Sequence, residues 1–115
     1  MRPVHDVPTI RAAEAALMAR MPEGALMQRA ATGLAATTAS LMRETFGRVT
    51  GLRLAVVAGS GNNGGDALFA ASQLARRGVS VDILPTSDTL HPDGLRAAQR
   101  EGASIRAPRR ADVVL

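Results

Sequence analysis

The sequence predicts an α/β fold in which a parallel sheet is covered by helices, and three observations carry that expectation. Short apolar runs alternate with helical spacing after residue 51. Glycine or proline punctuates most of the junctions. The first run, Leu52-Arg53-Leu54-Ala55-Val56-Val57-Ala58, is almost continuously apolar. A run of that kind is typical of a strand covered on both faces, whereas a half-exposed strand alternates. Strand–helix–strand–helix–strand order with right-handed crossovers then gives a parallel sheet with helices packed on it.

Each element can be argued in chain order. The first nine residues are polar and interrupted by Pro3 and Pro8, so no regular structure is expected. From Ile10 to Met21 the spacing is helical, with Thr9 as N-cap and Ile10, Ala13, Leu17 and Met21 on one face. Pro22-Glu23-Gly24 breaks it. A second helix is predicted from Ala25 to Phe46, with Leu26, Ala30, Gly33, Leu34, Thr37 and Leu41 as its packing face. Met27 and Met42 fall at other angles and read as ordinary packing. Gly47 stops this helix.

After the strand at 52–58, the segment Gly59 to Gly65 is too glycine-rich for a helix or strand interior and is predicted to be a loop. Helical spacing resumes from Asp66 to Arg77 through Leu68, Ala71, Leu74 and Ala75, and Gly78 ends it. Val79 to Leu84 reads as a second strand closed by Pro85. Pro92 suits the first turn of a helix running to Glu101, with Gly102 just past its end. Ala103–Ile105 and Ala111–Leu115 read as short strands. With no repeat, low-complexity stretch or linker, residues 1–115 form one domain. A chain that stops inside a strand is expected to be the N-terminal portion of a larger one.

Composition excludes several function classes. In 115 residues, 46% apolar and 21% charged content rules out disorder as the overall state. No run of apolar residues is long enough to span a bilayer, and Met1-Arg2-Pro3-Val4-His5-Asp6 lacks the core of a secretory signal. A soluble cytoplasmic protein is expected. Without Cys there is no thiolate nucleophile, disulfide or cysteine zinc site; without Lys there is no Schiff base and no Walker-type phosphate loop. All fourteen positive charges behind the net +4 are Arg, and only Phe46 and Phe69 are aromatic. No basic stripe with interleaved aromatics exists, so a nucleic-acid face is not expected.

Chemistry concentrates in Gly59-Ser60-Gly61-Asn62-Asn63-Gly64-Gly65-Asp66, between a strand and a helix. Ligands of open parallel sheets bind beyond the carboxyl ends of the strands. A helix starting there offers free N–H groups and the positive end of its dipole to an anion. The competing structural account is a tight turn with Asp66 as helix cap. Gly59 to Gly64 also satisfies the dinucleotide pattern G-x-G-x-x-G of a Rossmann-like fold. That pattern wants an acidic residue at the tip of the second strand. Asp82 sits mid-strand instead, Asp88 is a looser candidate, and Asn62, Asn63 and Asp66 would have no task in a hydride-transfer enzyme.

Other candidates carry less. His5 lies in the irregular terminus and His91 reads as a helix-capping residue beside Pro92. Ser60 lacks a nucleophile-elbow context. Arg76-Arg77 and Arg109-Arg110 read as solvated charges, as do Glu14, Glu44 and Glu101 on helices.

Gly61-Asn62-Asn63-Gly64-Gly65-Asp66 after an apolar strand resembles the glycine-rich motif of the YjeF N-terminal domain family, the NAD(P)H-hydrate epimerases. Leu26-Met27-Gln28-Arg29-Ala30-Ala31 resembles the family's L-M-x-R-A-[GA] helix start, and the upstream Ala-Glu-Ala helix comes in the right order. The resemblance covers residues 5 to 115. It implies a Rossmann-like three-layer α/β/α fold and an isomerase that interconverts the R and S forms of hydrated NADH or NADPH. Asn62, Asn63, Gly64, Gly65 and Asp66 would then contact the nucleotide, and Asn63 would help bind a potassium ion. Asp66 is the candidate acid–base or hydroxyl-orienting group.

Ala67 departs from the glycine that often follows the Asp. The resemblance also implies an acidic potassium ligand on the strand that Asp112-Val113-Val114-Leu115 begins; Asp112 matches the strand's start and is not that ligand. The fragment alone is therefore expected to be inactive. A dehydratase partner, fused or separate, and a homodimer are further implications. Two other function classes stay open: a non-catalytic scaffold of YjeF type with an RNA partner, and a conventional NAD-dependent oxidoreductase.

Overall fold

The structure, a computed structural model, describes residues 25–107 and 110–115. It consists of helix α1 (Ala25–Phe46), strand β1 (Arg53–Ala58), helix α2 (Asn62–Arg76), strand β2 (Ser80–Pro85), helix α3 (Pro92–Arg100), and the short strands β3 (Ser104–Ile105) and β4 (Val113–Val114). The expected helix over Ile10–Met21, together with His5, Glu14 and Arg109, lies outside the described residues.

All pairings are parallel, and the sheet order is β3-β2-β1-β4. Both crossovers from β1 step the same way across the sheet. Right-handed connections therefore place α2 and α3 on the same face. There Leu54, Val56 and Ala58 of β1 and Val81 and Ile83 of β2 are buried with Leu68, Ala71 and Leu74 of α2 in one core. Helix α1 and helix α3 pack against α2 from its two sides.

The other face of the sheet holds the alternate residues of the paired strands. Among the described residues no helix packs on it, and Val57, Leu84 and Val114 are exposed there. Asp82 lies on that face, nearly buried, with its Oδ1 accepting from Arg106 Nε at 2.8 Å. The ends also hold together by backbone: Asp112 N–H donates to Arg53 O, and Arg53 N–H donates to Asp112 Oδ2 at 2.8 Å.

Two expectations are corrected. The buried side of α1 is Ala31, Ala35, Thr38, Ala39 and Met42, whereas Ala30, Gly33, Thr37 and Leu41 face outward. Small and apolar residues surround this helix, so its periodicity points weakly in two directions, and packing on α2 decides between them. Helix α2 begins at Asn62, four residues before the expected Asp66. Glycine lowers helix propensity by about 1 kcal/mol per residue, yet Gly64 and Gly65 are helical and buried because their backbones lie against neighbours that leave no room for a side chain.

Candidate functional site

The site is built where β1 ends and α2 begins. Gly59 leaves the sheet beside Thr86, which follows β2. Thr86 N–H and Oγ1–H both donate to Ala58 O, at 2.9 and 3.2 Å, and tie the two strand ends together. Gly61 then turns the chain with φ 88° and ψ −167°, a conformation open only to glycine. Gly65 N–H donates to Gly61 O at 3.0 Å and closes the first helical turn. No side chain caps this helix. The N–H groups at the helix start, those of Asn62, Asn63 and Gly64 among them, therefore have neither an intrahelical acceptor nor a side-chain one, which is the standard arrangement for receiving an anion.

Crowding explains the glycine pair. A Cβ at Gly64 would overlap the Gly59 carbonyl oxygen and stand 2.9 Å from its carbon. A Cβ at Gly65 would lie 2.9 Å from Met27 Sδ and 3.0 Å from His91 Cδ2. Helix α3 comes equally close, since a Cβ at Gly94 would lie 3.0 Å from Leu68 Cβ. The two motifs singled out in the sequence, Leu26–Ala31 and Gly61–Asp66, thus meet at Met27 and Gly65. Met27, expected to be a packing residue, packs from α1 onto the glycine motif.

Asn62 and Asn63 are exposed on the first turn, while Asp66 is half-buried in the second. Asp66 does not cap the helix, which removes the structural account of that residue. Burial pushes its carboxyl above the ordinary carboxylate value, and the neighbouring His91 opposes this. A carboxyl so placed holds a proton more readily than a solvated one, as proton-transfer groups do. Among the described residues no cluster of three or more His, Cys, Asp or Glu could hold a metal ion. The donors available at the turn are the amide oxygens of Asn62 and Asn63 and backbone carbonyls. These hard, neutral ligands fit a weakly hydrated monovalent cation rather than zinc.

His91 and Thr86 are the site residues that sequence reasoning passed over. The cap role of His91 was legible, since its Nδ1 accepts from Gly94 N–H at 3.0 Å. Its place beside Gly65 and Phe69 was not. Asp82 is in the middle of β2 and engaged by Arg106, so it does not offer a carboxylate at the strand tip for a ribose. Ser60 is exposed, and Arg76 pairs with Glu101 Oε1 at 3.3 Å, away from the turn.

In parallel α/β domains, an uncapped, glycine-forced strand-to-helix turn lies at the carboxyl edge of the sheet, the place where such folds accommodate anionic ligands. Comparison with known sequences goes further. Residues 23–109 match the family described as YjeF-related protein N-terminus, and the chain belongs to that family. It is 47% identical over 106 residues to the bifunctional NAD(P)H-hydrate repair enzyme Nnr of Mycobacterium tuberculosis, covering 91% of this chain and 22% of that protein. Against the enzyme of the same name from Mycobacterium leprae it is 46% identical with the same coverage. It is also 45% identical over 97 residues to the NAD(P)H-hydrate epimerase of Microbacterium testaceum, covering 84% of this chain and 35% of that protein. The chain therefore spans between about a fifth and a third of the length of these relatives.

Proposed function

We propose that this chain supplies the nucleotide-binding turn of an NAD(P)H-hydrate epimerase, acting in the full-length protein on the R and S forms of hydrated NADH and NADPH. The observation that carries the reading is the pairing, on one helical turn and a half, of an uncapped N-terminus with a half-buried carboxyl held above its ordinary pKa. The first suits the phosphates of a dinucleotide; the second suits work on a hydroxyl. In this reading the nucleotide is substrate and not redox cofactor. Backbone N–H groups at Asn62, Asn63 and Gly64 anchor its anionic part, and the glycine pair lets the ligand approach closely. Asp66 orients the hydroxyl at the reacting carbon or exchanges a proton with it.

Asn63 would contribute its amide oxygen to a potassium ion, which when bound supplies positive charge beside the substrate. The relatives support a dehydratase in the same polypeptide or alongside it, since some are named bifunctional repair enzymes and others epimerases. The reading places the protein in the cytoplasm, where free nicotinamide nucleotides would be its substrates; no described helix is long and apolar enough to cross a membrane.

The test uses the full-length protein and a mixture enriched in one epimer of NADPH hydrate, followed by chromatography. Interconversion is expected to accelerate with enzyme and to fall by at least about a hundredfold for Asp66→Asn, the scale of a lost general acid–base group. Unchanged epimer ratios with and without the wild-type protein would overturn the assignment.

A further inference from the structure

Two donors from one residue converge on a single carbonyl where β1 leaves the sheet. Thr86 N–H donates to Ala58 O at 2.9 Å and continues the ladder in which Ser80 N–H meets Leu52 O at the same distance. Any residue except proline could make that bond. The hydroxyl is different. Thr86 Oγ1–H donates to the same Ala58 O at 3.2 Å, and Oγ1 stands 3.3 Å from where a Cβ on Gly59 would be. Thr86 is exposed, so water could satisfy its hydroxyl, yet the side chain turns in against the exit of β1.

A carbonyl oxygen has two acceptor positions, and at Ala58 both are filled from Thr86. That saturation resists rotation of the Ala58–Gly59 peptide, the last one before the chain leaves β1. Rotation would otherwise cost little at Gly59, because glycine has the widest backbone freedom. The next carbonyl, Gly59 O, lies against Gly64 in the first turn of α2, so closely that a Cβ there would overlap it. Gly61 O in turn accepts from Gly65 N–H at 3.0 Å. A chain of contacts therefore runs from the tip of β2 through the exit of β1 to the start of α2. It ends at the uncapped N–H groups of Asn62, Asn63 and Gly64.

We propose that Thr86 is a positioning residue for the anion-binding turn: its hydroxyl fixes the Ala58–Gly59 peptide, and through Gly59 the direction in which the N–H groups of Asn62, Asn63 and Gly64 point. The proposal rests on the epimerase reading for the identity of the anion, the phosphates of hydrated NADH or NADPH, but not for its geometry. In this role Thr86 acts on binding and leaves proton transfer to Asp66.

Two variants of the full-length protein isolate the hydroxyl. Thr86→Val removes it and keeps the shape of the side chain; Thr86→Ser keeps it and loses the methyl group. Well below the melting temperature, Thr86→Val is expected to raise KM for hydrate interconversion about three- to tenfold, the range of one hydrogen bond, with kcat within about twofold. Thr86→Ser is expected to stay within about twofold of wild type in both constants. A hydroxyl that only stabilised the fold would lower the melting temperature of Thr86→Val and leave KM alone. Unchanged KM in Thr86→Val, a fall in kcat without a rise in KM, or the same rise in Thr86→Ser would overturn the proposal.

A second measurement does not depend on turnover. Backbone amide spectra of the full-length protein without nucleotide should show the Asn62, Asn63 and Gly64 signals displaced in Thr86→Val and restored in Thr86→Ser. Signals unmoved by Thr86→Val would overturn the proposal too. If the wild-type protein does not interconvert hydrates, the epimerase reading fails, and these spectra still decide whether Thr86 sets the turn.

Discussion

The two faces of the sheet follow different rules. On the helix-covered face, near the start of α2, backbone lies against backbone and side chain: Gly64 against Gly59, Gly65 under Met27 and His91, Gly94 against Leu68. Residue identity there is dictated by contact, and the residue dictated is glycine. On the opposite face, Val57, Leu84 and Val114 are exposed, and no contact among the described residues demands them. Their identity follows from strand propensity, which favours β-branched and aliphatic residues on a pleated surface. Glycine in the sequence marked the crowded region and valine the sheet. Neither said which face would be crowded.

The sharpest way to break this contrast is Gly64→Ala. Its methyl would overlap the Gly59 carbonyl, and backbone rather than a flexible side chain must yield. The expected loss is about 3 kcal/mol or more, read from the denaturant midpoint, at the upper end for overpacking. A loss below about 1 kcal/mol would mean that the turn relaxes freely and that crowding does not select glycine there.

Asp66→Asn probes the electrostatic side of the same region, and here the sign matters. Burial holds the carboxyl above its ordinary value of 3.8, so the native state keeps the proton where the unfolded chain has released it. Stability from this group is then greatest below the ordinary value and falls as pH rises through the interval up to the raised one. The ionised carboxyl remains a cost above that interval. Asp66→Asn should therefore be at least as stable as wild type near neutral pH, with the difference vanishing in acid, as urea midpoints at the two pH values would report. Lower stability near neutrality would show that the carboxylate makes a stabilising contact that outweighs its burial.

The smallest effect is expected at the opposite face. Val57→Thr keeps β-branching and adds a hydroxyl at a position that is 43% exposed. Stability should change by no more than about 0.5 kcal/mol in chemical denaturation of the 115-residue chain. A larger loss would reveal burial that the described contacts do not contain, and the two faces would no longer differ.

Much of this was legible beforehand. The bounds of α1, the core of β1 and β2, the proline-started α3 and the glycine motif all followed from local rules about propensity, caps and periodicity. The helical state of Asn62–Gly65 did not, because intrinsic propensity argues against it and only close packing overrides it. The buried side of α1 was misjudged for a related reason: Ala31, Ala35 and Ala39 look no more apolar than the outward Ala30 and Leu41. His91 was legible as a cap and illegible as a neighbour of Gly65, since 26 positions separate them and no local pattern encodes that distance.

The sequence by itself determined the α/β class, the order of its elements and the segment where chemistry would lie, because these depend on period, punctuation and local backbone freedom. Tertiary structure alone decided that helix α2 begins within the glycine motif, that Met27 and His91 close on Gly65, and that Asp82 is engaged by Arg106. Those facts depend on which remote atoms come within a few ångströms of one another. Contact of that kind is a property of the folded chain and not of any stretch of it.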